Sequence, residues 1–115
     1  MTCLIVDDNP QMREVIASVI RDIDDVIVEC SDGGEALNAF WASQPDWVLM
    51  DIKVGAIDGI AATRQIRRAF PCARIVIVTN YDDPDLRAAA RDAGACGYVL
   101  KENLLVLRAV LAKNV

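Results

Sequence analysis

At 115 residues, 54% of them hydrophobic, the chain has the length of one common domain and no room for a second folded unit. Its formal net charge of −5 offers no electrostatic footprint for nucleic acid or anionic lipid, so DNA contact by this chain alone is not expected. No apolar run approaches a membrane span, and Met1-Thr-Cys-Leu-Ile-Val-Asp7 meets a charge too early for a signal peptide, so a cytoplasmic location is expected.

Segments of strand and helix character alternate five times along the chain. Cys3-Leu-Ile-Val6 is a continuous apolar run that breaks at Asp7-Asp8-Asn9-Pro10. Asp or Asn as N-cap, with proline in the first turn, starts a helix, and Met12, Val15, Ile16, Val19 and Ile20 then repeat with helical spacing. Val26-Ile27-Val28 reads as a second strand, and Ser31-Asp-Gly-Gly34 turns the chain into a helix expected over residues 35–42. Trp47-Val-Leu-Met50 is the third strand, and the composition of residues 61–70 predicts a helix that stops before Pro71. Arg74-Ile-Val-Ile-Val78 is rich in β-branched residues, as in a strand buried on both faces. Asp83-Pro84 starts a further helix, Gly94 ends it, Gly97-Tyr-Val-Leu100 is the last strand, and residues 104–112 form the last predicted helix. No linker, low-complexity tract or internal repeat interrupts the pattern.

Five βα units of this size imply one α/β domain over residues 1–115, a doubly wound five-stranded parallel sheet with helices on both faces. Residues just past the carboxyl ends of parallel strands meet in one crevice. Asp7, Asp8, Asp51, Thr79, Tyr98 and Lys101, with the turn Asp58-Gly59, all stand in such places. Three carboxylates, a hydroxyl and an ammonium converging there are the equipment of a magnesium-assisted phosphoryl site. Trp47, near Asp51 in sequence, is expected to report on it. Four cysteines, Cys3, Cys30, Cys72 and Cys96, form no Cys-x-x-Cys pair, and a chain without histidine supplies zinc poorly. They are expected to be small buried hydrophobes in a reducing compartment.

The ordered set Val6-Asp7-Asp8-Asn9, Met50-Asp51-Ile52 with Asp58-Gly59, Val78-Thr79, and Gly94-Ala95 leading to Gly97-Tyr98-Val99-Leu100-Lys101 resembles the receiver domain of bacterial two-component response regulators. The resemblance covers essentially the whole chain, and residues 92–101 look most like receivers of the LuxR/NarL type. It implies a flavodoxin-like or receiver-like sheet in the order 2-1-3-4-5. It also implies that Asp51 is the phosphoacceptor, taking a phosphoryl group from a histidine kinase or phosphotransfer protein. Asp7, Asp8, Asp51 and the main-chain carbonyl of Lys53 would hold Mg2+, a cation that takes oxygen ligands and keeps several waters. Lys101 would supply positive charge and Thr79 a hydroxyl to the phosphoryl oxygens, while Thr79 and Tyr98 would form the switch. Catalysis would be limited to the chain's own phosphorylation and slow dephosphorylation, and a regulator of this kind would carry its DNA-binding output in a further C-terminal domain.

Three departures from the family pattern bear on kinetics. Gly55 and Glu102 stand where proline is usual, and Asn80 stands where a small residue usually keeps the phosphoryl route open. Lys53 and Tyr81 occupy the variable positions that tune how fast water removes the phosphoryl group, where a long cation beside a phenol would obstruct attack. Arg64, Arg67 and Arg68 read as a solvated face of the third helix. The last helix carries Leu104, Leu105, Val106, Leu107, Val110 and Leu111 around more of its circumference than one stripe needs, which suits either deep packing or a homodimer through the fourth and fifth helices, with Val106 on the exposed side. A haloacid-dehalogenase-like phosphatase would need an acid where Lys53 stands, and a flavodoxin-like FMN site would reject Asp7-Asp8. The remaining alternative is a receiver-like protein-binding module that is not phosphorylated.

Overall fold

The computed structural model describes residues 1–53 and 57–112, so Gly55 lies outside the described residues. Five strands, β1 (Thr2–Val6), β2 (Val26–Cys30), β3 (Trp47–Met50), β4 (Ile75–Thr79) and β5 (Gly97–Leu100), alternate with five helices, α1 (Pro10–Ile20), α2 (Ala36–Ser43), α3 (Gly59–Ala69), α4 (Pro84–Ala93) and α5 (Val106–Ala112). All strand pairs are parallel, in the order β2-β1-β3-β4-β5. The chain therefore reverses direction of build between β1 and β3, where Val6 lies opposite Met50.

Alternation along the strands distributes the core between two layers. Leu4, Val6, Val48, Met50, Ile75 and Ile77 pack with Ala36, Phe40, Ile60, Ile66 and Ala90, and so against α2, α3 and α4. Cys3, Ile5, Leu49, Val76, Val78 and Val99 meet Ile16, Ile20, Leu107 and Leu111 of α1 and α5 on the other face. Burying one Leu or Ile side chain contributes roughly 1.5–3 kcal/mol, so the central strands, apolar on both faces, carry much of the stability.

The helix starts follow the side-chain chemistry of their caps. Asn9 accepts from Met12 N at 3.0 Å, Asp58 from Ala61 N at 2.8 Å, and Asp83 from Asp85 N at 2.8 Å. Gly94 closes α4 at φ 108°, a left-handed conformation suited to glycine, and a Cβ there would come within 2.7 Å of Arg67 Nε.

Several expectations shift. The second strand runs on to Cys30, a 3-10 turn at Gly33–Glu35 delays the second helix to Ala36, and the third helix begins at Gly59 under its Asp58 cap. Thr79 is the last residue of β4 itself. The final helix starts only at Val106, because the chain first closes a 3-10 turn at Lys101–Asn103 behind a lysine held at the sheet edge. Val15 is exposed, since Ile16, Ala17 and Ile20 fill the narrower stripe of α1 that faces the sheet. Arg67 departs from the solvated arginine face: its guanidinium donates to the Pro71 carbonyl and, at 3.3 Å, to that of Ala73, capping the end of α3, while Arg64 and Arg68 are exposed. Of the cysteines, Cys3 and Cys30 are buried, but Cys72 and Cys96 are exposed because they stand in connections outside the sheet.

Candidate functional site

The carboxyl edge of the sheet gathers the predicted residues at the reversal between β1 and β3. Asp7 is 2% exposed and Asp51 8% exposed, each one residue past its strand. Lys101, from beyond β5, puts its Nζ 3.0 Å from Asp7 Oδ2 and 3.0 Å from Asp51 Oδ2. One ammonium thus bridges two buried carboxylates. Asp7 Oδ1 is held by Asn9 N at 2.9 Å and Asp51 Oδ1 by Ile52 N at 2.8 Å, so each carboxylate has a second, fixed contact. Asp8 is exposed, and one oxygen from each of Asp7, Asp8 and Asp51 can be chosen so that all lie within 4.8 Å of one another.

Burial pushes the Asp51 carboxyl above its ordinary value, with the Asp7 charge acting in the same direction and the Lys101 contact and Ile52 N–H opposing them. For Lys101, burial acts to lower the ammonium value, but the hydrogen bonds to Asp7 and Asp51 outweigh it and the net direction is upward. The lysine is a fixed point charge, and the strongly buried charges at this edge compensate one another.

Thr79 is fully buried, and its Oγ1 accepts the Tyr81 N–H at 3.3 Å. Asn80 and Tyr81 follow on the exposed rim, and Lys53, also exposed, places its Nζ 5.3 Å from the Tyr81 ring centre. Tyr98 is half-buried with its ring packed against the core layer under α4, its hydroxyl donating to the Tyr81 carbonyl at 2.6 Å. Asp58 serves as the α3 cap, and Gly59 is obligatory there: a Cβ would lie 1.8 Å from the Asp51 carbonyl oxygen. Trp47, by contrast, is buried at the opposite end of β3 under the Arg74 guanidinium, too far along the strand to report directly on Asp51.

Two supports escaped the sequence reading. Arg13 Nη1 donates to the Asp7 carbonyl at 2.6 Å while its Nε contacts Glu29 Oε1 at 2.8 Å, fixing the loop after β1 to β2. Arg87 of α4 lies 4.5 Å from the Tyr98 ring centre. An arginine on an exposed helix face carries no sequence signal for either task.

The family model of the response regulator receiver domain matches residues 3–111. The chain belongs to that family. This receiver is 36% identical over 101 residues to the transcriptional regulatory protein LnrK of Bacillus subtilis (strain 168), covering 86% of this chain and 46% of LnrK. It is 37% identical over 101 residues to LiaR of the same organism, covering 85% of this chain and 47% of LiaR. The receiver spans about half the length of the curated relatives it matches. A LuxR-family two-component response regulator from Aurantimonas sp. SI85-9A1 superposes with a TM-score of 0.85 at 34% identity, over 97% of this receiver and 85% of that chain. The BeF3-activated receiver domain of Klebsiella pneumoniae RstA gives 0.87 at 27% identity, over 100% of both chains. The resemblance to LuxR/NarL-type receivers is borne out, and so is the sheet order.

Proposed function

We propose that Asp51 accepts a phosphoryl group from a histidine kinase or phosphotransfer protein, and that the receiver then switches the surface formed by α4, β5 and α5. The observation that carries this is the Lys101 ammonium bridging buried Asp7 and Asp51 at 3.0 Å beside exposed Asp8. In the transfer, a bond forms between an Asp51 carboxylate oxygen and phosphorus as the bond from phosphorus to the donor's imidazole nitrogen breaks. The chain contains no histidine, so that nitrogen lies outside these 115 residues.

The acidic cluster suits Mg2+. Octahedral ligands near 2.1 Å from the ion stand about 3–4 Å from one another, and carboxylate oxygens drawn from a 4.8 Å cluster meet that spacing with small side-chain adjustments. Asp7, Asp8 and Asp51 would hold the ion, with the Lys53 carbonyl as a further ligand. The ion would neutralise charge on the phosphoryl oxygens. Lys101 would supply a fixed positive charge to one of those oxygens, and Thr79 would donate its hydroxyl to another. Lys53 and Tyr81, in contact across the rim, would obstruct approach of water and prolong the phosphorylated state, while Asn80 would slow entry of the phosphoryl donor.

Among the described residues, no helix is long and apolar enough to cross a membrane, in keeping with a cytoplasmic partner kinase. The half-length match to transcriptional regulators supports an output through a C-terminal DNA-binding domain in a longer parent. Leu105, 74% exposed, and Val106 on α5 supply apolar surface for a phosphorylation-controlled homodimer. Magnesium with acetyl phosphate or phosphoramidate is expected to add the mass of one phosphoryl group to the intact chain, and Asp51→Asn to abolish the gain. Modification that survives Asp51→Asn, or needs no divalent ion, would contradict the assignment.

A further inference from the structure

Asp7 is anchored at every polar group it has. Its N–H donates to the Cys30 carbonyl at 3.0 Å, its Oδ1 accepts from Asn9 N at 2.9 Å, its Oδ2 lies 3.0 Å from Lys101 Nζ, and its main-chain carbonyl accepts from Arg13 Nη1 at 2.6 Å. Asp8, next in the chain, has nothing comparable. It is exposed, and among the described residues no hydrogen bond or ion pair holds its carboxylate. One of its oxygens comes within 4.8 Å of oxygens of Asp7 and Asp51 because the backbone points it there.

The carbonyl of Asp7 and the nitrogen of Asp8 belong to one peptide plane. A guanidinium that fixes the Asp7 carbonyl therefore fixes that plane, and with it the direction in which the Asp8 Cα–Cβ bond leaves the chain. The guanidinium is itself held to the sheet, because its Nε donates to Glu29 Oε1 of β2 at 2.8 Å. Only 16% of the Arg13 side chain is exposed, so this contact is shielded from screening. A planar fork that serves a carbonyl with one nitrogen and a carboxylate with another has its orientation set by both, which a lysine ammonium cannot reproduce.

We propose that Arg13 is a positioning residue for the Asp8 carboxylate, acting through the Asp7–Asp8 peptide, and that it thereby sets the affinity of the acidic cluster for a divalent cation. This rests on the magnesium-assisted acceptor reading, since the position of Asp8 matters only if an ion is held there. The sign of the effect separates positioning from charge. A guanidinium near three acids repels an incoming cation, so on charge alone its removal tightens binding. As a positioning group, its removal weakens binding. Loss of an outer-shell partner of a metal ligand lowers affinity by about ten- to a hundredfold.

Magnesium is titrated into the full chain by isothermal calorimetry at fixed ionic strength, at a temperature where circular dichroism shows each variant folded. Arg13→Met, which keeps the aliphatic stem, is expected to raise the dissociation constant about tenfold. Arg13→Lys, which keeps the charge and loses the fork, is expected to raise it less, and it carries the test if Arg13→Met does not fold. Asp8→Asn is expected to weaken binding in the wild-type background and to add little in the Arg13 variant, since both changes act on the same ligand. A merely structural arginine would lower thermal stability and leave the magnesium affinity where it was. Normal wild-type binding with an Arg13 variant at or below the wild-type dissociation constant, or with additive Arg13 and Asp8 effects, overturns the role of Arg13 alone. A wild-type chain that binds no magnesium, or binds it equally as Asp8→Asn, overturns the acidic-cluster reading and this inference with it.

Discussion

The two ends of the sheet bury acids in opposite ways. At the carboxyl edge, Asp7 and Asp51 share the Lys101 ammonium and each accepts a backbone N–H. At the amino edge, Asp24, in the turn before β2, is 0% exposed, and neither carboxylate oxygen has a hydrogen-bond partner. Burial alone does not mark a functional carboxylate. What distinguishes Asp51 is a cation brought from fifty residues away and held by two acids at once, together with a third acid open to solvent. Asp24 has no such company, and burial pushes its carboxyl above the ordinary carboxylate value, partly against the attraction of the N-terminal ammonium.

The contrast is broken most severely by removing the shared cation. Lys101→Met strands two carboxylates in a buried setting, and urea denaturation at neutral pH without divalent ions should show a loss of about 3 kcal/mol. Next is Gly59→Ala, whose Cβ would strike the Asp51 backbone; overpacking there should cost about 2 kcal/mol by the same assay and distort the loop that carries Asp51. At the other edge the sign reverses. Asp24→Asn should stabilise the chain by about 1 kcal/mol at pH 7, because it removes a buried charge whose oxygens no hydrogen bond satisfies. The raised folded value means that wild-type stability is full below the ordinary carboxyl value of 3.8 and declines as pH rises through the folded one. The advantage of Asp24→Asn should accordingly vanish on acidification; an advantage equal at pH 3 and pH 7 would show that charge is not its origin. The smallest effect belongs to the exposed pair of Asp22 with Arg108, whose contacts of 2.6 and 2.8 Å tie the turn after α1 to α5. Arg108 holds the Asp22 carboxyl below its ordinary value, so Asp22→Asn should lower the thermal midpoint slightly at neutral pH and not at all in concentrated salt.

The carboxyl edge was legible in the sequence because its signals are local. An apolar run followed by Asp, or by Thr, marks a strand end, and Asn9-Pro10, Asp58-Gly59 and Asp83-Pro84 mark helix starts. Parallel pairing then brings strand ends together, and Asp7, Asp51 and Lys101 meet although their separations carry no pattern. What was not legible depends on where long side chains reach. Arg67 has the sequence setting of Arg64 and Arg68 but bends to the Pro71 and Ala73 carbonyls, and Arg87 turns over Tyr98 where spacing alone would place it in solvent. Trp47 shows the converse error, since proximity to Asp51 in sequence becomes the length of a strand in space. The orphaned carboxylate of Asp24 left no trace either, because an Asp beside Asp25 in a turn reads as an ordinary solvated residue.

The central claim is that the phosphoryl group resides on Asp51, the acid that shares Lys101, and on no other. An acyl phosphate is reduced by borohydride to an alcohol, which converts a phosphorylated aspartate to homoserine at its own position. The chain is treated with acetyl phosphate and magnesium, reduced, digested and sequenced by mass spectrometry. Homoserine at position 51, absent when magnesium or the donor is omitted and lost in Lys101→Met, is the expected result. Homoserine at position 7 or 8, or a phosphoryl mass gain with none at position 51, would contradict it.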